Sequence, residues 1–209
     1  IRDSNYTNHD SACGRNVHHA SKSLFGLGRK GFIYDIKNAN HLVLFGRNIL
    51  ASLRPAEVNQ VLDMIDKGGK LTYVDVRQTL TGIKATNFFQ VRPGTDYALT
   101  LALIHEIIQA GGYDREFVER YTTGLDEMAD FVKEYTADWA ARECGIKAQK
   151  IHQLVEQLIE DRPRVIFHPG WMLSRYSDSF YASRALNALN ALMGSIEVEG
   201  GLLFPKGPG

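Results

Sequence analysis

Four short segments of this chain carry side chains that could do chemistry. They are Gly46-Arg47-Asn48, Asp75-Val76-Arg77-Gln78-Thr79, Arg92-Pro93-Gly94-Thr95-Asp96 and His168-Pro169-Gly170-Trp171, with Arg175 just beyond the last. Glycine lets backbone approach a ligand closely, while carboxylate and guanidinium groups fork onto purine edges and phosphates. The same residues collect in loops for turn and cap reasons, so the weight lies on four such segments in succession rather than on any one. The histidines are weaker candidates: His18 and His19, as helix neighbours, diverge by about 100°, so at most one could face a common site. His105 sits in an apolar run, where a packed, hydrogen-bonded histidine is the usual outcome. The two cysteines, Cys13 and Cys144, could form at most one disulfide. No Cys-x-x-Cys occurs, which argues against an iron-sulfur cluster or a multi-thiolate zinc site within these residues.

The elements around these segments alternate between short β-rich runs and longer amphipathic ones. Strands are expected at 41–45, 71–76, 88–91 and 164–167, and each of the four polar segments follows one of them. Helices are expected at 16–25, ending at Gly26, and at 57–67, with Val58, Val61, Leu62 and Ile65 at helical spacing before Gly68-Gly69. A third runs from Thr95 or Asp96 to about Gln109, and a fourth over 147–160, with shorter helices after Gly124. Strands separated by helices predict βαβ units: an α/β fold with a mostly parallel sheet flanked by helices, Rossmann-like and three-layered. Such sheets bind ligands at the carboxyl ends of their strands, where the polar segments fall. The letters G-x-G-x-x-G also occur, at Gly26, Gly28 and Gly31. A helix precedes them and the β-rich run 32–34 follows, the reverse of a dinucleotide fingerprint, so no nicotinamide site is expected there.

Composition narrows the class further. The 209 residues carry 24 basic and 24 acidic side chains for a net charge of zero, which leaves no electrostatic footprint for nucleic acid or anionic lipid. With 44% hydrophobic and 10% aromatic residues, the chain has ample material for a core. No apolar run approaches the roughly 18 residues that span a bilayer. The chain starts at Ile1 rather than Met and ends in a loop-like Pro-Lys-Gly-Pro-Gly string, and it reads as an excised fragment.

The order of the loops resembles a known family. Cys13, Phe25-Gly26, Asp35 to Asn40, Gly46 to Asn48, Lys70 to Asp75 with Arg77 and Thr79, and then Val91-Arg92-Pro93-Gly94-Thr95-Asp96 resemble the molybdopterin oxidoreductases of the dimethyl sulfoxide reductase superfamily. The tail, Arg184 to Gly194 followed by Glu199-Gly200-Gly201, resembles the stretch near that family's second pterin. The resemblance implies a catalytic subunit holding molybdenum, or tungsten, between two molybdopterin guanine dinucleotides, with a 4Fe-4S cluster upstream. It divides the chain into a dinucleotide-binding α/β domain, 1–168, and a segment, 169–209, that returns into the neighbouring cofactor-binding domain.

By position, the resemblance places Gly46, Arg47 and Asn48 on the pterin or phosphate path. Asp75, Arg77 and Thr79 fall at the nucleoside and Asp96 at the guanine edge, with Pro93 and Gly94 shaping that loop. Gly170, Trp171 and Arg175 fall near the metal and the second pterin, where Arg175 could hold an anionic substrate. Cys13 falls where the family places its protein ligand to the metal, and a soft thiolate suits such a centre; without the resemblance a lone cysteine reads as a small buried hydrophobe. Formate dehydrogenases place His directly after that ligand, whereas Gly14 follows Cys13. The surrounding residues are most similar to the thiosulfate and polysulfide reductase group. That group implies a small inorganic sulfur substrate, an iron-sulfur electron-transfer subunit, a membrane anchor subunit and a periplasmic location. Nitrate, arsenate or formate chemistry on the same cofactor remains the alternative, with a non-redox nucleotide-binding module as the rival class.

Overall fold

In the computed structural model, which describes residues 13–28, 31–51 and 54–205, helix α1 (Arg15–Phe25) stops at Gly26, whose φ of 71° suits a residue without Cβ. Strands β1 (Ile33–Tyr34) and β2 (His41–Phe45) follow. Next come α2 (Pro55–Asp66), β3 (Lys70–Asp75), α3 (Leu80–Lys84) and β4 (Asn87–Gln90). A helical stretch then holds α4 (Asp96–Gln109), α5 (Arg115–Tyr121), α6 (Leu125–Val132), α7 (Ala137–Cys144) and α8 (Ala148–Asp161). The chain closes with β5 (Val165–Pro169), α9 (Ser179–Leu192) and β6 (Leu202–Leu203). The expected elements are present, with ends shifted by a residue or two. Helix α2 starts earlier than its apolar spacing suggests, because Pro55 brings a φ already set for the first helical turn. The short helices α3 and α5 and the antiparallel pairing of β1 with β6 were not expected from the pattern.

Strands β4-β3-β2-β5 form a four-stranded sheet in that order, parallel throughout. Alternation sends Val43, Phe45, Val74 and Phe167 to one face, against α4, α7, α8 and α9. Leu42, Leu44, Leu71, Tyr73 and Ile166 go to the other, against Val61 and Met64 of α2 and Leu202 of β6. The result is the three-layer α/β fold that the periodicity predicts. Central β2 is buried along its whole length, which is why it reads as one continuous apolar run. From β2 the chain steps outward to β3 and β4, then returns after β5's long crossover to the other side of β2. The order reverses there, so the crevice at the carboxyl ends of β2 and β5 is the sheet's natural ligand site.

Both ends of β5 are managed locally. As an edge strand it would leave backbone groups without a ladder partner, yet Asn190 of α9 donates to the Phe167 carbonyl and accepts from its N–H, each at 2.9 Å. Two residues on, Pro169 has no N–H to satisfy. At the amino edge of the sheet, Asp161 accepts from His41 Nδ1 at 2.9 Å and from Lys70 Nζ at 3.0 Å. Burial lowers the His41 pKa against the pull of Asp161, so the ring is neutral and Nε2 accepts from Thr72 Oγ1 at 2.8 Å. Asn87 in turn donates to Thr72 Oγ1 at 3.1 Å. Every buried polar atom of this His41–Thr72 link thereby has a partner.

Replacing Asn190 by Ala strands both backbone groups of Phe167 inside the protein. A loss of about 2 to 4 kcal/mol is expected, read from the urea midpoint at unchanged m-value.

Candidate functional site

The four polar segments lie at the carboxyl edge of the sheet, and a strap formed by residues 170–178 meets the segments after β2 and β4. Gly170 sits where the backbone leaving β5 crosses the end of β2. A Cβ there would lie 2.0 Å from the Phe45 carbonyl oxygen and 2.7 Å from the Gly46 carbonyl carbon, so nothing larger than glycine fits. Gly46 has φ +58°, and a Cβ on it would stand 2.8 Å from Met172 Cβ. Its N–H donates to Val74 at 2.8 Å and its carbonyl accepts from Met172 N at 3.3 Å. The strap is therefore laid on the end of β2 backbone to backbone.

Arg47 does not point outward. It is buried, donates to Glu57 of α2, and donates from Nη1 to His168 Nε2 at 3.0 Å. A guanidinium only donates, so Nε2 is the acceptor and the His168 proton sits on Nδ1. Desolvation and the charge of Arg47 push the His168 pKa down to about 3, and Tyr34 packs on the ring with centroids 4.5 Å apart. Asn48 accepts from the Thr81 hydroxyl at 2.8 Å, and that hydroxyl accepts from Leu50 N at 3.1 Å, which pins the loop after β2 to α3.

At the end of β3, Asp75 accepts from the Tyr73 hydroxyl through one oxygen and from Val76 N at 2.7 Å through the other. It shapes its own turn, and burial together with the Asp75 hydrogen bond raises the Tyr73 pKa. Arg77 is exposed, and Thr79 stands at the N-cap position of α3 without a side-chain cap hydrogen bond. After β4, Gly94 takes φ +82° with the ring of Tyr176 3.8 Å from where its Cβ would be. Arg92 anchors the loop by donating to the Arg142 carbonyl at 2.9 Å. Cys144 is buried and donates to the Thr95 carbonyl at 3.4 Å, so its role is packing.

Asp96, the first residue of α4, is 5% exposed. Among the described residues its carboxylate meets only its own backbone N–H, with Asp75 and Asp178 nearby. Desolvation, reinforced by those two charges, pushes its pKa up to about 6. A buried carboxylate with no cationic or hydrogen-bonding side-chain partner among the described residues is a candidate acceptor for a donor pair. Guanine presents such a pair in N1–H and the N2 amino group.

The last approach is made by residue 13. Its carbonyl accepts from Ser174 Oγ, in the short helical turn Leu173–Arg175, while Asn16 donates to Ser179 of α9 at 2.6 Å. The turn bearing Cys13 is thus brought to the turn bearing Arg175 at the β2–β5 switch point, with Cys13 half-buried and Trp171 and Arg175 exposed. Glu57, Thr81, Ser174 and Tyr176 were not singled out by the sequence, since each acts through a partner distant along the chain. Among the described residues no group of three or more His, Cys, Asp or Glu side chains could form a metal cage. A single protein ligand to a metal held mainly by a cofactor is compatible with that.

Comparison with known proteins shows the family. Residues 4–206 match the family model described as molybdopterin oxidoreductase. The chain is 34% identical over 198 residues to the thiosulfate reductase molybdopterin-containing subunit PhsA of Salmonella typhimurium, covering 95% of this chain and 26% of that protein. It is 28% identical to the F420-dependent formate dehydrogenase subunit alpha of Methanocaldococcus jannaschii, over 93% of this chain and 29% of that one. The solved structure of acetylene hydratase from Pelobacter acetylenicus superposes with a TM-score of 0.80 at 27% identity, covering 90% of this chain and 25% of that chain. The chain thus spans about a quarter of the length of the relatives it matches.

The Asp96 carboxylate has a raised pKa in the fold, so the stability it lends at low pH is lost as pH rises from its ordinary 3.8 through about 6. Asp96→Asn should therefore stabilise the cofactor-free protein at pH 7 by on the order of 2 kcal/mol, with the gap from wild type closing towards pH 4. Denaturant midpoints measured across that range check it.

Proposed function

The chain belongs to the molybdopterin oxidoreductase family, and from that premise we propose that it is the dinucleotide-cupping part of a catalytic subunit that reductively cleaves sulfur–sulfur bonds, as in thiosulfate, polysulfide or tetrathionate. The observation that carries this reading is the meeting of Cys13 and the Trp171–Arg175 strap at the switch point. The 34% identity to a thiosulfate reductase subunit over almost the whole chain supports the substrate class. Residues 1–168 cup one molybdopterin guanine dinucleotide, and 169–209 return toward the neighbouring domain while α9 shares the sheet's core.

The residues present fit the cofactor. Asp96 supplies a buried acceptor pair for the guanine edge, and Gly46, Gly94 and Gly170 present backbone without a Cβ to the pterin and phosphate path. Asn48 and Asp75 hold those loops, Arg77 and Thr79 are assigned to the nucleoside, and Pro93 shapes the turn before Asp96. Cys13 is the protein ligand to molybdenum or tungsten. When bound, the metal supplies the two-electron chemistry and the protein supplies orientation and electrostatics. For thiosulfate the balance is two electrons and two protons in, with the S–S bond broken to release sulfide and sulfite. Arg175 holds the anionic end of the substrate and offsets the charge that builds on the departing sulfur. His168 is not the proton donor: its Nε2 accepts from Arg47, and the ring stays neutral at working pH. Electrons arrive through an upstream 4Fe-4S cluster from an iron-sulfur subunit, in a periplasmic complex held by a membrane anchor subunit.

In the full-length enzyme Cys13→Ala should keep pterin content while lowering turnover of thiosulfate or polysulfide at least about a hundredfold. Retained turnover overturns the ligand assignment. Assay of the wild type on thiosulfate, tetrathionate, polysulfide, nitrate, arsenate and formate decides the substrate class. Nitrate, arsenate or formate turnover without any on the sulfur compounds overturns the sulfur reading and leaves the family in place.

A further inference from the structure

The hydroxyl of Ser174 lies within hydrogen-bond reach of two carbonyls, that of Trp171 at 2.8 Å and that of Cys13. A hydroxyl has one proton, so the two compete for it or share it. The contact to Trp171 closes a local turn of a kind that any serine makes with a carbonyl three residues back. The contact to Cys13 bridges 161 residues of sequence and joins the end of β5 to the start of α1. Ser174 is 5% exposed, so its geometry is not one of several offered by solvent. The Cys13 carbonyl and Cβ share one Cα, and holding the first restricts the direction of the second. Gly14, which caps α1, gives the turn no side chain with which to hold itself. Met172, two residues before Ser174, is bonded to the Gly46 carbonyl at 3.3 Å, so the serine is delivered by backbone already seated on β2.

We propose that Ser174 is a positioning residue that aims the Cys13 thiol at the metal by gripping its backbone carbonyl. This rests on the reading of Cys13 as the metal's protein ligand. The effect of the hydroxyl is to make one orientation of residue 13 dominant where a free turn would sample several, and a displacement of about 1 Å at a reacting centre is enough to cost up to a hundredfold in rate.

The test uses the full-length enzyme with Ser174→Ala, Ser174→Thr and Cys13→Ser. Ser174→Ala should retain metal and pterin, lower kcat about tenfold with little change in KM, and alter the electron paramagnetic resonance signal of the metal centre. In cofactor-free full-length protein it should also speed maleimide labelling of Cys13 several-fold relative to Cys144. Ser174→Thr keeps the donor and should restore all three readouts to within about twofold of wild type. If Ser174→Ala fails to assemble, the near-isosteric Ser174→Cys, a weak donor, is read by its spectrum in the same way. A wild-type spectrum and labelling rate in Ser174→Ala, alongside an altered spectrum in Cys13→Ser, overturns this inference and leaves the ligand reading standing. A wild-type spectrum in Cys13→Ser overturns the ligand reading, and the role of Ser174 with it.

Discussion

The carboxyl edge of the sheet depends on one steric constraint: the backbone leaving β5 passes over the end of β2 with no room for a Cβ at Gly170. That crossing places Met172 against Gly46, Ser174 against the turn of residue 13 and Tyr176 over Gly94. Three loops from separate parts of the chain are thereby set by a strap of nine residues, 170–178. Because protein interiors are close-packed, a displacement at the crossing would pass to every member of this set. The Glu57–Arg47–His168 chain holds the other side of the crossing. Its buried guanidinium is paired with Glu57 and His168, so it acts as a brace within the protein.

The two ends of the sheet follow opposite electrostatic logic. At the amino end His41, Thr72, Lys70, Asn87 and Asp161 satisfy one another, and the hydrogen bonds from His41 and Lys70 outweigh burial to hold the Asp161 pKa below its ordinary value. At the carboxyl end Asp96 is left without such partners and its pKa rises. Under the function proposed above, the donors that Asp96 lacks come from a ligand. A buried carboxylate with a raised pKa is, under that reading, where binding energy would be gained.

Much of this was legible in the sequence for a physical reason. The strand and helix periodicities are local, and so are the glycines at turns and the carboxylate that begins α4. The letters at Gly26, Gly28 and Gly31 could be set aside because a helix, α1, precedes them and β1 follows. What was not legible depends on partners far apart in the chain. Asn190 closing the Phe167 edge, Glu57 bracing Arg47, Tyr176 seated on Gly94 and Ser174 gripping Cys13 each need the fold before their role exists. Arg47 and Asp75 show the converse, since residue type suggests a ligand while geometry reveals a protein partner.

The neutral net charge fits this division of labour. A broad positive field would draw polyanions to the surface and discriminate poorly among them. Here the basic groups are sorted by burial: Arg47 is spent inside, Arg92 fixes a loop, and Arg77 and Arg175 stay exposed on the carboxyl edge. Recognition then falls to a few groups whose direction is set by backbone contacts, beside an acidic side chain that only accepts. Under the function proposed above, such a site would select by the pattern of donors and acceptors that a guanine edge presents, and the same rigidity is what a single ligating side chain at residue 13 would need in order to be aimed at all.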